Sequence, residues 1–467
     1  MTAPLSLETL HLSVRELSER IRKKELSPVE LTTASLERLK GVGPLLGAVV
    51  TVTRDLAIRE AKEAEAEIAK GRWRGALHGI PYGVKDLLAT KGIPTTWGAE
   101  PFRSQVFDYD ATVVRKLREA GAVLIGKLAM VELAGALGYN NPDASFTGPG
   151  RSPWNVKYWS GGSSSGPATA TAAGLVGFSI GSETSGSILT PAAYSGVAGL
   201  RPTYGRVSRY GAMALCWSLD KLGPICRTAE DCGLVMAAIA GADPLDPTSL
   251  DRPWKPRAAG RRFRVGVIKD SSSKAQAGVK KNFEDAVAVL KTFCDVTDDV
   301  PFPDFPYGPA VSTIVAAEGV SAFRDLIESG GTQKLRAAND KWGGFAASMV
   351  PAVDYLQAQR LRAPMRRALD ALYANYDALV APSRQTVASP IGVDFDKAYP
   401  GVGGGPAVIP AGNLAGQPAI SVVSGFGAEG LPTGIQFTGR ALADETLVEV
   451  ATEYQRRTDW HRKRPPV

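Results

Sequence analysis

Two clusters of glycine and serine, residues 161–166 and 181–187, are the part of the sequence best suited to chemistry. Between them lies a stretch made almost entirely of Ala, Thr, Gly, Leu and Val, and residues this small let backbone segments approach one another closely. A serine hydroxyl becomes an effective nucleophile once a nearby base accepts its proton. Residues 160–191 therefore predict the catalytic centre of a serine hydrolase.

Histidine, the usual base for such a serine, is scarce in this chain. The sequence contains only His11, in the terminal helical region, His78, in a turn, and His461, in a basic tail. The pattern G-x-S-x-G around Ser164 matches the nucleophile elbow of histidine-based hydrolases, for which His461 would be the downstream histidine. Short Gly/Ser patterns arise easily by chance, so we favour structural roles for the histidines and keep Ser164 as an alternative nucleophile.

Lys85 can replace histidine as the base. Burial lowers the proton affinity of a lysine, and serine–lysine pairs are an established variant of the catalytic triad. Lys85 ends an apolar run, which suits a lowered pKa, although a surface ion pair with Asp86 is the simpler alternative. Residues 181–186 have the glycine spacing of a phosphate loop without its lysine, and no His/carboxylate cluster suggests a metal. The sequence therefore predicts chemistry that needs no cofactor.

These residues also fall into an ordered set of motifs. The sequence resembles the amidase signature family, whose hallmarks are a lysine in a G-x-K-D context and two loops rich in glycine and serine. Ser163 and Ser187 are 24 residues apart, which is the family's spacing. The resemblance covers most of the chain and is weakest in residues 245–400. The matching segments are residues 83–86 (GVKD), 161–166 (GGSSSG), 181–188 (GSETSGSI), 191–193 (PAA), 199–203 (GLRPT), 223–224 (GP), 413–416 (NLAG) and 434–436 (GIQ).

The resemblance implies a role for each position in the two loops. Ser187 would be the nucleophile, Ser163 the serine that relays its proton, and Lys85 the base that starts the relay. The peptide bond before Ser163 would be cis. The oxyanion hole would consist of four consecutive backbone N–H groups, those of Thr184, Ser185, Gly186 and Ser187.

Three positions depart from the family pattern. Glu183 stands where Asp is usual, Ser185 where a glycine is usual, and Leu189 where many relatives carry Arg. Ser185 adds a Cβ, so the loop must avoid a positive φ there or accept strain. Leu189 offers an apolar wall in place of a guanidinium, which favours a neutral substrate with an apolar or aryl portion. The predicted substrate contacts are Tyr82, Tyr139, Leu189, Arg209 and Trp217.

These features predict a serine hydrolase that cleaves the C–N bonds of neutral amides, anilides or carbamates, and that also accepts esters. Within the family, the prediction corresponds to the urethanases and aryl amidases. The alternative is the amidase subunit of a glutamyl-tRNA amidotransferase-type complex. The sequence disfavours that alternative, because it contains no recognisable tRNA-binding appendage and Leu189 suits the role poorly.

Composition predicts the cellular location of the protein and the kind of partner it binds. The net charge is +7, but the basic residues are scattered among acids, so we expect a small-molecule amide or carbamate substrate and no nucleic acid. Four cysteines without a CxxC pair, and the lack of a leader segment or a long apolar run, predict a cytoplasmic protein with no membrane contact. We expect a monomer or a homodimer.

The elements that must position these residues are those of one α/β domain. The resemblance implies a central mixed, twisted sheet with helices on both faces. Residues 1–70 predict a helical layer, residues 77–230 the signature core, residues 245–400 a variable, substrate-shaping region, and residues 410–467 a return to the core sheet. Apolar runs predict buried strands at residues 122–125, 175–180, 265–268, 419–423 and 434–438, and helical patterns occur at residues 111–119, 311–376 and 444–457.

Overall fold

One mixed sheet runs through the protein, which a computed structural model describes over residues 5–255 and 261–467. Its strands are β1 (Val49–Val52), β2 (Pro81–Lys85), β3 (Val123–Leu128), β4 (Phe178–Glu183), β5 (Ala198–Arg201), β6 (Lys221–Cys226), β7 (Phe263–Ile268), β8 (Cys294–Val300), β9 (Ala378–Pro382), β10 (Ala419–Phe426) and β11 (Pro432–Thr438). They lie side by side in the order β1-β3-β2-β4-β6-β5-β10-β11-β9-β7-β8. β2 pairs in parallel with β3 and β4, and β7 with β8 and β9, whereas the other neighbours are antiparallel.

Helices flank this sheet and connect its strands. They are α1 (Leu7–Leu10), α2 (Val14–Arg22), α3 (Pro28–Val42), α4 (Arg54–Ala69), α5 (Thr112–Glu119), α6 (Ser165–Ala172), α7 (Leu189–Ser195), α8 (Ala229–Ile239), α9 (Ala277–Lys291), α10 (Tyr307–Ala322), α11 (Arg324–Glu328), α12 (Ala338–Ala347), α13 (Ala352–Tyr373), α14 (Phe395–Ala398), α15 (Val408–Ala415) and α16 (Asp444–Gln455). The predicted α/β fold with a mixed sheet is confirmed. None of the described helices combines the length and apolar character needed to cross a membrane.

The small residues between the two Gly/Ser clusters form α6 and the start of β4, and all of them are buried. A Cβ on Gly166, in the first turn of α6, would lie 2.4 Å from the backbone nitrogen of Ala129, just past the end of β3. Such a distance leaves no room for a side chain, so α6 packs directly on the strand ends. This close packing holds the two Gly/Ser clusters beside Lys85 at the end of β2.

Two parts of the predicted layout need correction. Residues 1–70 are not purely helical, because the β-branched run of β1 pairs with β3 at the edge of the sheet. The region at residues 245–400 adds three strands to the sheet, β7, β8 and β9, of which only β7 was predicted. Its helical part is as predicted, with α10 to α13 covering most of residues 307–373. Residues 256–260 of that region lie outside the described residues.

Candidate active site

Lys85 is fully buried at the end of β2 and contacts two serines. Its Nζ donates to Ser163 Oγ at 2.7 Å and to Ser182 Oγ at 2.9 Å. Burial lowers the pKa of Lys85 from its ordinary value to about 7, even though the nearby carboxylates of Asp220 and Glu183 favour the charged form. A large fraction of Lys85 is therefore neutral near pH 7, as a general base requires.

The alternative that Lys85 forms a surface ion pair with Asp86 is wrong. Asp86 is itself buried, accepts a hydrogen bond from the Thr96 backbone at 2.9 Å, and lies 3.2 Å from Lys127 Nζ. Lys221 is another buried lysine whose pKa falls to about 7 through burial, but its Nζ donates to the carbonyl of Leu219. Of these three lysines, Lys85 is the one bound to serine hydroxyls.

Ser163 is buried and follows a cis peptide bond from Gly162. Its carbonyl accepts a hydrogen bond from the backbone of Val131 at 3.1 Å, which ties it to the segment after β3. The next residue, Ser164, is held by the backbone of Ser182: its Oγ donates to the carbonyl at 3.1 Å and accepts from the N–H at 3.2 Å. Ser164 therefore clamps the two Gly/Ser loops together. Because its hydroxyl is used in these two hydrogen bonds, the geometry does not favour Ser164 as the nucleophile.

Ser187 is half-buried, and its carbonyl accepts a hydrogen bond from the Ser164 backbone at 3.2 Å. Glu183 holds the chain that follows. One of its carboxylate oxygens accepts from the N–H groups of Ile188 and Leu189 at 2.9 and 3.0 Å. This carboxylate therefore caps the start of α7 immediately after Ser187.

The other oxygen of Glu183 accepts from Arg201 at 3.0 Å and from the side-chain amide of Asn413 at 2.9 Å. Burial alone would raise the pKa of Glu183, but the charge of Arg201 and the Asn413 hydrogen bond hold it below the ordinary value. Glu183 is thus a buried carboxylate that joins the loop before Ser187 to β5 and α15. Its extra methylene relative to Asp is accommodated by this network.

The predicted oxyanion loop has its N–H groups available. Among the described residues, none accepts a hydrogen bond from the backbone N–H of Ser185, Gly186 or Ser187. Gly186 has a φ of +90°, whereas Ser185 is not among the residues with positive φ, so its Cβ causes no backbone strain. Thr184 Oγ1 donates to Asp220 at 2.6 Å, which anchors the start of the loop.

Ser187 opens into a cavity of about 500 Å³, which we call the nucleophile cavity. Ser185 and Tyr139 also line it, so the predicted contact Tyr139 lies beside the nucleophile candidate. Tyr139, Trp159 and Phe395 form an aromatic wall, with the Trp159 and Phe395 rings stacked at 4.8 Å between centroids. The remaining wall includes a run of glycines at residues 403–405 and the side chain of Arg384.

A second cavity of about 230 Å³, the lysine-side cavity, touches Ser182, Thr184 and Asp220. The predicted substrate contacts Arg209 and Trp217 line this cavity and not the one that contains Ser187. Arg209 donates to the Tyr204 hydroxyl at 2.9 Å and to the carbonyl of Trp217, so its guanidinium is engaged within the protein. These two residues are therefore separated from Ser187 and Tyr139.

Two further predicted contacts need correction, because the structure buries them. Tyr82 is in β2, where its ring stacks on Phe178 at 5.2 Å between centroids, and it lines neither cavity. Leu189 lies close to Ser187 in the chain but is fully buried in α7, where it packs with Ile409 and Ala419. Their side chains help to build the core that supports the site, and neither lines the nucleophile cavity.

The histidines lie away from the nucleophile cavity. Burial lowers the pKa of His11 and of His461 to about 4, and both line a different pocket next to Arg227. His78 is buried 3.2 Å from Glu67. Because none of them lines the cavity with Ser187, the interpretation of the histidines as structural residues is consistent with their positions.

Sequence reasoning missed four residues of this site. Ser182 is in the second Gly/Ser loop, and Arg201 and Asn413 are in matched motifs. The sequence therefore pointed to these segments, but it did not show which residues these three side chains contact. The signal that could have found them is the presence of unassigned polar residues inside apolar motif segments. Arg384 is in no motif, and nothing in the sequence connects it with Ser187.

Comparison with known proteins identifies the family and the fold. A model of the Amidase family matches residues 30–448. The A subunit of the glutamyl-tRNA(Gln) amidotransferase from Moorella thermoacetica is 36% identical over 489 residues, which cover 98% of this chain and 99% of that protein. The crystal structure of the peptide amidase from Stenotrophomonas maltophilia superposes with a TM-score of 0.85 and 32% identity, covering 97% of this chain and 98% of that one.

The crystal structure of the corresponding amidotransferase component from Thermotoga maritima superposes with a TM-score of 0.75 and 28% identity, covering 96% of this chain and 95% of that one. The amidotransferase relatives are by name subunits of a larger enzyme. They overturn our prediction of a monomer or homodimer that meets only a small molecule, and they favour the alternative that we disfavoured from the sequence. The lack of a recognisable tRNA-binding appendage was a poor guide, because one component of an assembly can leave that task to its partners.

Proposed function

The chain belongs to the amidase signature family, and we propose that it hydrolyses the C–N bond of carboxamides through an acyl-enzyme on Ser187. The observation that carries the proposal is the contact of 2.7 Å between Lys85 Nζ and Ser163 Oγ. This contact places a lysine of lowered pKa against a serine whose neighbour, Ser164, binds the carbonyl of Ser187. Family membership makes the chain an amidohydrolase, and the assignment of each residue is our proposal.

The reaction begins with neutral Lys85. It accepts the proton of Ser163, which accepts the proton of Ser187 as Ser187 Oγ attacks the carboxamide carbon. The N–H groups of the loop at residues 184–187 stabilise the oxyanion, and removing one such donor typically costs about 3 kcal/mol. The relay then returns the proton to the nitrogen, the C–N bond breaks, and ammonia or an amine leaves. A water molecule attacks the acyl-enzyme through the same relay and releases the carboxylic acid.

We further propose that the chain acts as the amide-cleaving component of a larger assembly. The support is similarity to the A subunit of glutamyl-tRNA(Gln) amidotransferase along nearly the whole of both chains. In such an assembly, glutamine would be the source of the ammonia that a partner consumes. Glutamine is therefore the first substrate to test.

The lining of the nucleophile cavity favours a second candidate function. The aromatic wall formed by Tyr139, Trp159 and Phe395 suits a flat or aryl group next to the scissile bond. Anilides and aryl carbamates, the substrates of aryl amidases and urethanases, carry such a group, as do aryl esters. Attack on a carbamate gives the same kind of tetrahedral intermediate, so the same three residues would act.

A substrate panel tests both candidates. The purified chain is given glutamine, a p-nitroanilide and the matching aryl carbamate, with release of ammonia or of the aryl amine as the readout. Ser187→Ala is the control for each substrate. Turnover of glutamine that rises when a partner co-purifies supports the assembly, whereas turnover of aryl substrates alone supports the second candidate. If none of these substrates and no simple carboxamide is hydrolysed by the chain or its complex, the proposed hydrolysis is wrong.

A further inference from the structure

Arg384 is the only charged side chain among the described residues that line the nucleophile cavity. It lies two residues after the end of β9 and is exposed. No Asp or Glu among the described residues lines the same cavity. The wall that holds the nucleophile candidate therefore carries one positive charge without a negative charge to balance it.

The neighbours of Arg384 leave its charge unneutralised. The guanidinium is hydrogen-bonded to the Tyr194 side chain and is also acted on by the phenol of Tyr139, and no carboxylate is among these groups. The Tyr194 hydroxyl also makes a hydrogen bond of 3.0 Å with Thr386 Oγ1. A guanidinium that has no carboxylate partner and is exposed in the cavity of the nucleophile candidate thus points to an anionic group of the substrate.

The chemistry of Arg384 selects the type of anion. A guanidinium presents its N–H donors in a planar fork that matches the two oxygens of a carboxylate. A cavity of about 500 Å³ holds a small organic molecule in contact with both Ser187 and Arg384. A substrate ammonium, in contrast, would find no carboxylate among the described residues of this lining.

We propose that Arg384 forms a carboxylate-binding subsite, so that the carboxamide cleaved at Ser187 bears a carboxylate at its other end and no neighbouring ammonium. This inference rests on the proposed carboxamide hydrolysis and names its substrate class. It also replaces the neutral substrate that Leu189 suggested, because the guanidinium comes from a different element. Glutamine carries the required carboxylate, but its ammonium would be unmatched in the cavity.

The first experiment compares matched carboxamides. Succinamate, glutaramate and adipamate carry a carboxylate, and butanamide, pentanamide and hexanamide are their uncharged counterparts of equal length. We expect kcat/KM for at least one of the acids to exceed that of its counterpart roughly 10- to 100-fold, the range of one charge-assisted hydrogen bond, mainly through KM. We also expect glutaramate to be a better substrate than glutamine. Equal kcat/KM values for all three matched pairs would overturn the proposal.

Variants then assign the preference to Arg384. We expect Arg384→Met to bring the ratio of acid to neutral substrate close to one, and Arg384→Lys to retain part of it because the charge remains. Arg440→Met, which removes an exposed arginine outside the cavity, is the matched control and should keep the wild-type ratio. An Arg384→Met protein that melts at the wild-type temperature and keeps the preference would contradict the assignment.

Binding provides a readout that needs no turnover. Glutarate, a dicarboxylate that cannot be hydrolysed, should bind the wild-type chain in calorimetry, with its Kd raised at least tenfold in Arg384→Met. This result separates the two proposals. If no carboxamide is cleaved while glutarate binds through Arg384, the subsite stands and the proposed hydrolysis fails. If carboxamides are cleaved while glutarate binds the variant equally well, the hydrolysis stands and the subsite fails.

Discussion

The nucleophile cavity and the lysine-side cavity touch different residues of one short segment. Ser185 and Ser187 line the first, whereas Ser182 and Thr184 line the second. The chain bends after β4 ends at Glu183, so one short stretch can line two compartments. Lys85 lines neither cavity, but its partner Ser182 faces the lysine-side cavity, so we expect the substrate to bind on the other side of this segment from the base.

The two cavities also differ in the charged residues that line them. Among the described residues, the nucleophile cavity carries Arg384 and no acid, while the lysine-side cavity carries Asp220 and Asp246 with Arg209. Asp220 acts on Lys85, because its charge favours the protonated lysine and opposes the effect of burial. We therefore expect Asp220 of the lysine-side cavity to tune the proposed base, and the nucleophile cavity to recognise the substrate.

The largest expected effect comes from the nucleophile itself. Ser187→Ala should lower kcat by roughly 10⁴-fold or more, since loss of a catalytic nucleophile removes the covalent route. Ser164→Ala is the matched control, and it should keep most of the activity because Ser164 only clamps the loops. Mass spectrometry of the acyl-enzyme checks the assignment. A persistent acyl adduct in Ser187→Ala would return the nucleophile to Ser164.

The pH profile tests the base on the lysine side. The pKa of Lys85 is lowered to about 7, so the neutral amine is present above pH 7 and is lost as the pH falls. We expect kcat/KM to fall about tenfold for each pH unit below 7 and to reach a plateau above pH 8. Lys85→Met should abolish this dependence together with nearly all activity. A wild-type profile that is flat from pH 5.5 to 9 would exclude Lys85 as the base.

The next effect concerns the carboxylate that holds the loop between the cavities. Glu183→Gln leaves buried Arg201 without its charge partner, and breaking a buried pair of this kind costs about 3 kcal/mol of unfolding free energy. We expect kcat to fall roughly tenfold as well, because the chain after Ser187 loses its anchor. Glu183→Asp keeps the charge and should recover part of both quantities. Denaturant titration and steady-state kinetics provide the measurements, and unchanged stability in Glu183→Gln would refute the anchoring role.

The smallest expected effect lies in the lysine-side cavity. Trp217 is 43% exposed there, so Trp217→Ala should change kcat/KM for a carboxamide by less than about threefold. A rise of tenfold or more in KM would show that substrate extends into this cavity, as the sequence suggested. That result would show that the two cavities do not have separate roles.

Much of the fold could be predicted from apolar runs. β3, β7, β10 and β11 were expected within a few residues of their bounds, because buried strands need continuous apolar side chains. β6 was missed because its sequence, KLGPIC, contains Gly and Pro. β8, CDVTDDV, was missed for a different reason: as the edge strand of the sheet it is largely exposed and carries acids.

The sequence by itself determined the family, the α/β class and the candidates Lys85, Ser163 and Ser187. It could do so because these residues lie in short motifs, whose residue types and spacing fix the local backbone around them. The tertiary structure decided which side chains meet them. It moved Arg209 and Trp217 to the lysine-side cavity, buried Tyr82 and Leu189, and brought Arg384 into the cavity of Ser187. Arg384 follows β9 and Ser187 follows β4, and the sheet order places β6, β5, β10 and β11 between these two strands. Their meeting depends on the pairing of every intervening strand, and local sequence carries no record of that pairing.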